Sequence, residues 1–243
     1  MQKTSAIVLA AGKGIRMKSD LPKVSHILCG KPMIVRVLEV VSELGLDKIF
    51  IVVGYKSEIV KKECKGFNVT FVEQQEQLGT GHAVMQVKPY INSDTVIVLN
   101  GDVPLIKQNT LKELISIHAS KKASATVLTA EVQDPQGYGR IVRTDDGFIL
   151  KIVEQKDATR EEACIKEINT GTFCFKTDEL FAALDEVKPN NIQKEYYLTD
   201  VIEILKKNRK PIFAYRSKNT MEVLGVNTKE DLDRLEKICE YAK

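Results

Sequence analysis

The stretch that decides the fold is residues 6–17, AIVLAAGKGIRM, which contains two cationic residues and is followed by another, Lys23. Its apolar first half is typical of a buried β-strand, and this strand runs directly into a loop that contains Gly12 and Gly14. Glycine has no Cβ, so backbone N–H groups in such a loop can approach a phosphate chain closely. Arg16 and Lys23 add fixed positive charge where the phosphates would lie. The stretch therefore predicts a strand and loop that bind a nucleoside triphosphate.

Two well-known glycine-rich motifs that bind nucleotides do not occur in this sequence. The Walker loop requires Gly, four residues and then Gly-Lys-Ser/Thr, and no such string occurs. The dinucleotide fingerprint requires a third glycine three residues after the second, where this chain has Met17. Triphosphate chemistry must neutralise more negative charge than a dinucleotide site, so Arg16 favours a triphosphate over a simple tight turn.

Composition bounds the class of protein. The chain has 243 residues and a net charge of +3, which suffices for one α/β domain with a sizeable core. It has no Trp and no long basic run, so we expect no nucleic-acid partner. No signal peptide is recognisable and no apolar run approaches the ~18 residues of a membrane span, so we expect a cytoplasmic protein with no membrane partner. A monomer or weak oligomer is expected.

Cysteines and histidines give no sign of a metal or redox site. The five cysteines are Cys29, Cys64, Cys164, Cys174 and Cys239. None forms a Cys-x-x-Cys pair, and their odd number suits a reducing cytosol. The histidines are His26, His82 and His118. They are far apart in sequence, so we expect structural or surface roles for them.

Strands and helices alternate in the first half of the chain. Strands are predicted at 5–10, 48–53, 68–73 and 95–99, and helices at 32–45, 56–65, 80–87 and 109–121. Near-continuous apolar strands between amphipathic helices predict a Rossmann-like α/β fold, with a mostly parallel sheet covered on both faces. Because such sheets bind ligands at the carboxyl ends of their strands, the loops after Ala10, Glu73 and Leu99 should lie along one edge.

The second half of the chain changes character. Strands are predicted at 123–132, 140–143, 148–154, 168–175 and 211–216, and helices at 177–186, 197–207 and 228–241. The two strands around Asp145-Asp146-Gly147 should form a hairpin. No linker or repeat appears, so we expect one domain over 1–227. Within it, a nucleotide-binding lobe at about 1–110 and a smaller acceptor lobe at about 111–227 share a sheet, and a C-terminal helix follows at 228–243.

Residues 74–83, QQEQLGTGHA, follow a predicted strand and open a predicted helix. Amide side chains such as that of Gln74 offer both donors and acceptors, which suits a nucleobase edge. Gly79 and Thr80 at the helix start expose backbone N–H groups. The alternative is a polar loop that Thr80 caps.

Asp102 follows an apolar strand at the expected ligand edge, within NGDVPL at 100–105. Mg²⁺ takes a few protein oxygen ligands and keeps water and phosphate oxygens, so one Asp and one further oxygen are a plausible set. The alternative is that Asp102 caps the next helix, since Pro104 follows it. Asn227 precedes the last helix, where it could be a cap or the second metal ligand.

A second polar group lies in GYGRI at 137–141, EQKD at 154–157 and EINTG at 167–171. Its carboxylate, amide and backbone N–H groups suit the hydroxyl and amide groups of a sugar. Each string taken singly suits a hairpin or a strand end equally well.

Together these strings resemble the sugar-1-phosphate nucleotidyltransferases, in particular the uridyltransferase domain of the bacterial bifunctional N-acetylglucosamine-1-phosphate uridyltransferase/glucosamine-1-phosphate acetyltransferase family. The resemblance covers nearly the whole chain and implies the nucleotide-diphospho-sugar transferase fold, with a smaller sugar-binding lobe. The QLGTGHA, GYGRI and EINTG strings are its most specific parts.

The resemblance implies roles for individual residues. The implied nucleotide-binding positions are Leu9, Ala10, Ala11, Gly12, Gln74, Gly79, Thr80, Asn100 and Gly101. The implied catalytic residues are Arg16, Lys23 and Asp102, and the implied Mg²⁺ ligands are Asp102 and Asn227. The implied sugar pocket consists of Gly139, Glu154, Asn169 and one of Tyr196 and Tyr197.

The chain also departs from this family. Ile15 stands where Thr is common, Ser25 where Leu is common, and Asn100 where some relatives carry Tyr. The hexapeptide repeats of a left-handed β-helix, which carries the acetyltransferase activity in bifunctional members, do not occur in the sequence. We therefore expect no acetyltransferase domain.

The expected reaction is Mg²⁺-dependent transfer of UMP from UTP to N-acetylglucosamine 1-phosphate, which yields UDP-N-acetylglucosamine and pyrophosphate. The attacking phosphate is already anionic, so no general base is required. Alternatives are another substrate pair, such as glucose 1-phosphate with dTTP or UTP, and a non-catalytic regulatory subunit that binds nucleotide sugars. Glu154 and Asn169 favour the acetamido sugar. Arg16, Lys23 and Asp102, which a non-catalytic subunit could lose, argue against the regulatory alternative.

Overall fold

The computed structural model describes residues 3–241. Its strands are β1 (Thr4–Ala10), β2 (Ile27–Leu28), β3 (Lys31–Pro32), β4 (Ile49–Val53), β5 (Thr70–Glu73), β6 (Thr95–Asn100), β7 (Ala125–Glu131), β8 (Gly139–Arg143), β9 (Ile149–Val153), β10 (Glu167–Lys176) and β11 (Ile212–Arg216). Its helices are α1 (Met33–Ser42), α2 (Ser57–Glu63), α3 (Thr80–Met85), α4 (Gln108–Ser120), α5 (Arg160–Ala163), α6 (Thr177–Leu184), α7 (Asp200–Lys207) and α8 (Lys229–Tyr241).

Nine of the strands form one sheet in the order β11-β7-β10-β6-β1-β4-β5, and the hairpin β8–β9 joins it through β10. Strands β6, β1, β4 and β5 are parallel, as are β7 and β11. Strand β10 is antiparallel to both β6 and β7. The expected mostly parallel α/β sheet flanked by helices is confirmed. Because β10 runs against its neighbours, it begins at the edge where β1, β5 and β6 end.

Strand β1 shows how the sequence builds a core on each face of the sheet. Successive side chains of a strand point to opposite faces. Ile7 belongs to the core under α3, α6 and α7, whereas Ala6 and Val8 belong to the core under α1, α2 and α4. Full burial of a Val or Ile side chain stabilises the fold by about 1.5–3 kcal/mol, so the two cores hold the end of β1 firmly in place.

Most expected elements agree with the structure to within a few residues. The short hairpin β2–β3 and helix α5 were not predicted. Helix α5 begins at a capping box in which Thr159 and Glu162 bond each other's backbone N–H groups. The expected helix at 228–243 corresponds to α8, and residues 242 and 243 lie outside the described residues.

Helix α8 packs against the start of the chain. A small core joins Leu235 of α8 to Met17, Leu28 and Val226. A disulfide between Cys29 and Cys239, which sequence reasoning did not predict, links the β2–β3 turn to α8. The helix therefore supports two segments that carry expected site residues, since Met17 follows Arg16 and Val226 precedes Asn227.

Within residues 3–241, no helix is both long and apolar enough to cross a membrane.

Candidate active site

A cleft of about 430 Å³ opens at the edge of the sheet where β1, β5 and β6 end. The predicted site residues that line it are Leu9, Ala10, Ala11, Gly12, Arg16, Lys23, Gln74, Gly79, Thr80, Asn100, Asp102, Gly139, Glu154, Asn169 and Asn227. Three predicted residues are not part of its wall: Gly101, Tyr196 and Tyr197. The position agrees with the general rule for open α/β sheets.

The glycine loop after β1 has a conformation that requires glycine. Gly14 has φ +68°, and a Cβ at this position would lie 2.6 Å from the Cβ of Lys23. A short 3₁₀ turn at Ile15–Met17 follows and buries Met17 while Arg16 stays exposed. The loop thereby places Arg16 and Lys23 on the same side of the cleft.

Two cations and two oxygen-bearing side chains converge at this side. The ammonium of Lys23 forms an ion pair with Oδ2 of Asp102 and donates a hydrogen bond of 2.8 Å to Oδ1 of Asn227. Arg16 donates to the same Asn227 oxygen at 2.9 Å. The N–H of Val226 donates to the Asp102 carbonyl at 2.9 Å, which fixes the Asn227 segment beside Asp102.

The structure decides two alternatives that the sequence left open. Helix α4 has Lys107 at its N-cap, so Asp102 does not cap it. At the start of α8, the Asp231 side chain accepts from the N–H groups of Asn227 and Thr228, and the Thr228 hydroxyl accepts from the Asp231 N–H. Capping is thus supplied by Thr228 and Asp231, and the Asn227 side chain remains directed at the cations.

A second wall is formed by the loop between β5 and α3. Gln74 is 3% exposed, and its amide nitrogen lies 3.0 Å from the Gly79 carbonyl, to which it donates. Gly79 has φ +111°, and a Cβ there would lie 2.6 Å from the Tyr196 carbonyl. Thr80 does not cap α3, whose N-cap is Gly79. Its hydroxyl instead accepts a hydrogen bond of 3.1 Å from the N–H of Leu198.

The third wall of the cleft is formed by residues that the pairing of β8, β9 and β10 brings together. Asn169 of β10 pairs with Gly139 of β8, and Arg140 pairs with Val153 of β9. Glu154 directly follows Val153, so this pairing brings Gly139, Glu154 and Asn169 to one corner of the cleft. The sequence strings that carry these residues are far apart, and the antiparallel pairing of β8, β9 and β10 unites them.

The third wall, called the acceptor wall from here on, contains or lies near carboxyl groups with shifted pKa values. Burial raises the pKa of Glu154, although a hydrogen bond of 3.1 Å from the Thr199 hydroxyl lowers it. Burial, with negative charge from Glu203 and Asp157, raises the pKa of Asp200 to about 6. Carboxyl and amide groups line this corner and cationic groups line another part of the same cleft, so the two parts differ in the ligand groups that they can accept.

Neither predicted tyrosine lies in the cleft wall. The Tyr196 backbone bonds to Leu78 and Gly81, and its ring lies 6.2 Å from the ring of His82. Tyr197 is 7% exposed, and burial raises its pKa. Their neighbours on both sides, Glu195 and Leu198, line the cleft instead.

Sequence reasoning did not name several residues of the site individually, although some of them lie in the strings that it singled out. The additional lining residues are Val24, Gln77, Ala83, Val103, Gly137, Tyr138, Thr170, Gly171, Phe173, Glu195, Leu198, Thr199 and Gly225. Arg140, within the GYGRI string, was likewise given no role of its own. It is 1% exposed and donates to Gln155 at 2.8 Å, and Gln155 accepts from the Gly137 N–H at 2.9 Å. A buried arginine within GYGRI was the signal in the sequence for this support of the loop.

Comparison with known proteins agrees with this geometry. Residues 6–225 match the model of the MobA-like NTP transferase domain. The chain is 46% identical over 242 residues to the Bifunctional protein GlmU of Syntrophomonas wolfei, covering 99% of this chain and 54% of that protein. It is 50% identical over 240 residues to the Bifunctional protein GlmU of a Geobacillus species, covering 98% of this chain and 52% of that protein. The chain thus spans about half the length of the curated relatives it matches.

Solved structures support the fold. A UDP-glucose pyrophosphorylase complexed with UDP-glucose superposes with a TM-score of 0.77 at 22% identity, with 100% of both chains covered. HddC from Yersinia pseudotuberculosis superposes with a TM-score of 0.70 at 23% identity, again with 100% of both chains covered. The family resemblance seen in the sequence is confirmed, and the chain belongs to the family of MobA-like NTP transferase domains.

Proposed function

We propose that this chain transfers UMP from UTP to N-acetylglucosamine 1-phosphate and releases pyrophosphate. The observation that carries the proposal is that one cleft is lined by two chemically different groups of residues. Arg16 and Lys23 gather where phosphates can be neutralised, and Glu154 and Asn169 gather where sugar hydroxyl and amide groups can be bonded. The family resemblance supplies the substrate pair.

The residues present fit a Mg²⁺ ion. The Lys23 ammonium lies between Asp102 and Asn227, so these two side chains already accommodate a cation. Among the described residues, no group of three or more His, Cys, Asp or Glu is arranged to hold a metal. One carboxylate and one amide oxygen suit Mg²⁺, which keeps water and phosphate oxygens in its shell. Bound there, Mg²⁺ would add positive charge at the reacting phosphates.

The protein's own groups act by position and charge. A phosphate oxygen of N-acetylglucosamine 1-phosphate attacks the α-phosphorus of UTP, a new P–O bond forms, and the bond to the bridging oxygen breaks. Pyrophosphate leaves with the electron pair. Because the nucleophile is anionic, no proton has to be removed. Arg16 and Lys23 neutralise the departing charge, and the glycine loop holds the phosphates in line.

The acceptor wall supports an acetamido sugar. A pocket built to hydrogen-bond a group rejects analogues that lack it, because its polar atoms are then left unpaired. Glu154 can accept from sugar hydroxyl groups, and Asn169 can both donate and accept. The Asn169 carbonyl oxygen also accepts from the Gly171 N–H at 3.0 Å, which orients its amide.

Competition identifies the substrates. The protein is incubated with UTP, dTTP and CTP together with N-acetylglucosamine 1-phosphate and glucose 1-phosphate, and the nucleotide sugars are separated by mass. The proposal expects UDP-N-acetylglucosamine as the main product. A main product that contains glucose or thymidine would overturn the substrate assignment, and binding of UTP without any product would favour a regulatory subunit.

The proposal also covers cellular location and organisation. We propose that the reaction takes place in the cytoplasm, since the proposed substrates are water-soluble phosphorylated molecules. A nucleotide-binding lobe at about 1–110 and a sugar-acceptor lobe at about 111–227 would share the cleft, and the protein would act as a monomer or a weak oligomer.

A further inference from the structure

We infer that His82 is a positioning residue that fixes the side-chain amide of Gln74, so that Gln74 presents its carbonyl oxygen to the base of the nucleotide. The inference deepens the proposed function and rests on it. His82 lies in the QLGTGHA string but does not line the cleft, and the proposed transfer gives it no task.

The contacts of Gln74 leave one group free for a ligand. Its amide nitrogen carries two hydrogens. That nitrogen lies 3.0 Å from the Gly79 carbonyl and 3.0 Å from Nδ1 of His82. When both hydrogens are engaged by these two acceptors, the carbonyl oxygen of Gln74 is left to meet a donor in the cleft.

The His82 ring cannot accept a hydrogen bond from the amide nitrogens of both Gln74 and Gln86. Nδ1 faces the Gln74 amide nitrogen, and Nε2 lies 3.1 Å from the amide nitrogen of Gln86. A neutral imidazole has one N–H and one lone pair, so it accepts from only one of these two amides. The other amide must turn its oxygen towards the ring.

The difference in burial between Gln74 and Gln86 determines which of the two side-chain amides reverses its oxygen and nitrogen. Gln74 is 3% exposed, and reversing its amide would set its oxygen against the Gly79 carbonyl oxygen, with little water able to reach the two groups. Turning the Gln86 amide gives up its hydrogen bond of 3.0 Å to the His82 carbonyl, but Gln86 is only half-buried at the end of α3, so water can replace that bond. His82 therefore carries its proton on Nε2 and directs the Nδ1 lone pair at Gln74. The Tyr196 ring, 6.2 Å away, packs beside the imidazole.

This arrangement selects the base. Uracil and thymine carry an N–H donor at the ring nitrogen between their carbonyl groups, whereas cytosine has a bare acceptor nitrogen there. A fixed carbonyl acceptor on Gln74 bonds the first two and faces a lone pair on the third. His82 thereby contributes to discrimination between UTP and CTP without touching either nucleotide.

The test is the ratio of the dissociation constants of UTP and CTP, measured by calorimetry for the wild-type protein and for His82→Leu and His82→Asn. The Asn side chain can place an oxygen acceptor near the position of Nδ1. We expect His82→Leu to lose about tenfold of the preference for UTP, the size of one neutral hydrogen bond, and His82→Asn to recover most of it. Affinity for dTTP should fall in parallel with that for UTP.

His118→Leu is the matched control, because His118 is the more deeply buried histidine and does not line the cleft. It should lose stability and keep the UTP preference. The inference is overturned if the wild-type protein has no preference for UTP over CTP, if His82→Leu keeps the preference, or if His82→Asn and His82→Leu lose it equally. Selective binding without turnover would instead refute the proposed transferase reaction and leave the role of His82 standing.

Discussion

The ammonium of Lys23 lies 2.8 Å from Oδ1 of Asn227, a residue 204 positions away in the chain, and also pairs with Asp102. A lysine thus fills the position between the two side chains that would hold a metal ion. Two cations cannot share this position, since like charges at such range repel strongly. If Mg²⁺ bound between Asp102 and Asn227, Lys23 would have to leave this position.

Replacing Lys23 tests this competition. Lys23→Met should bind Mg²⁺ more tightly than the wild-type protein, because no ammonium has to be displaced, and turnover should fall by about 10²–10³-fold because a phosphate contact is lost. The midpoint of the Mg²⁺-dependent thermal shift measures the first effect. Lys18→Met, at an exposed lysine of the same loop, is the control. Equal Mg²⁺ midpoints for the wild-type protein and Lys23→Met would contradict the competition.

Glu154 and Thr199 test the acceptor wall. Thr199→Val removes the hydroxyl that donates to Glu154, and Glu154→Gln removes the carboxylate. Both should raise the KM for N-acetylglucosamine 1-phosphate by about tenfold, the value of one hydrogen bond, and leave the KM for UTP unchanged. Steady-state kinetics with each substrate varied in turn gives the two values. Glu161→Gln, at an exposed glutamate on α5, should change neither. A parallel rise in both KM values would argue against a sugar-specific role.

Much of the fold could be predicted because its signals are local. The apolar run at Ala6–Ala10 predicts a buried strand, and glycines 12 and 14 mark the loop that follows. The antiparallel direction of β10 could not be predicted, since it depends on pairing with β6 and β7 across long sequence separations. The hairpin β2–β3 has only two residues in each strand, which is too short for any periodicity.

Some residues of the candidate site could be predicted from the sequence and others could not. Arg16, Lys23 and Asp102 could be named from the sequence because they lie in the segments that follow two recognisable apolar strands, β1 and β6. The choice between capping and ligand roles for Asn227 could not be made, because it depends on Thr228 and Asp231 satisfying the start of α8. The positions of Tyr196 and Tyr197 outside the cleft wall depend on backbone hydrogen bonds of Tyr196 with Leu78 and with Gly81 of α3, which no pattern in the sequence reveals.

His118 should make the protein sensitive to acid. Burial lowers the pKa of His118 from 6.5 to about 4, so the unfolded chain binds a proton in this interval that the folded protein excludes. Stability from this group is complete above pH 6.5 and is lost as the pH falls towards 4. His118→Asn, which can keep a bond to Thr126, should lose less stability than the wild-type protein over this interval. Denaturant unfolding at several pH values measures the difference.

Between pH 7 and 8, His118 is neutral in both the folded and unfolded states, so the stability difference between the two proteins should stay constant there. A difference that is also constant between pH 6.5 and 4 would show that His118 does not titrate as its burial requires.

The disulfide between Cys29 and Cys239 should stabilise the oxidised protein. It closes a loop with a sequence separation of 210 residues, and disulfides typically stabilise proteins by about 2–4 kcal/mol. Reduction with dithiothreitol should therefore lower the melting temperature by several degrees. Cys239→Ser should melt at the temperature of the reduced protein and be insensitive to the reductant, whereas Cys164→Ser, at an exposed free cysteine, should respond as the wild-type protein does. A melting temperature that reduction leaves unchanged would show that the bond contributes no stability.

The most direct test of the central proposal is pyrophosphate release from UTP and N-acetylglucosamine 1-phosphate by the wild-type protein and by Asp102→Asn, each with Mg²⁺ and with EDTA. The account predicts release by the wild-type protein only when both substrates and Mg²⁺ are present. It predicts a rate about 10²–10³-fold lower for Asp102→Asn, by analogy with the loss of one charge-stabilising group. Release at the wild-type rate in EDTA, or by Asp102→Asn with Mg²⁺, would contradict a metal-assisted nucleotidyl transfer at this cleft.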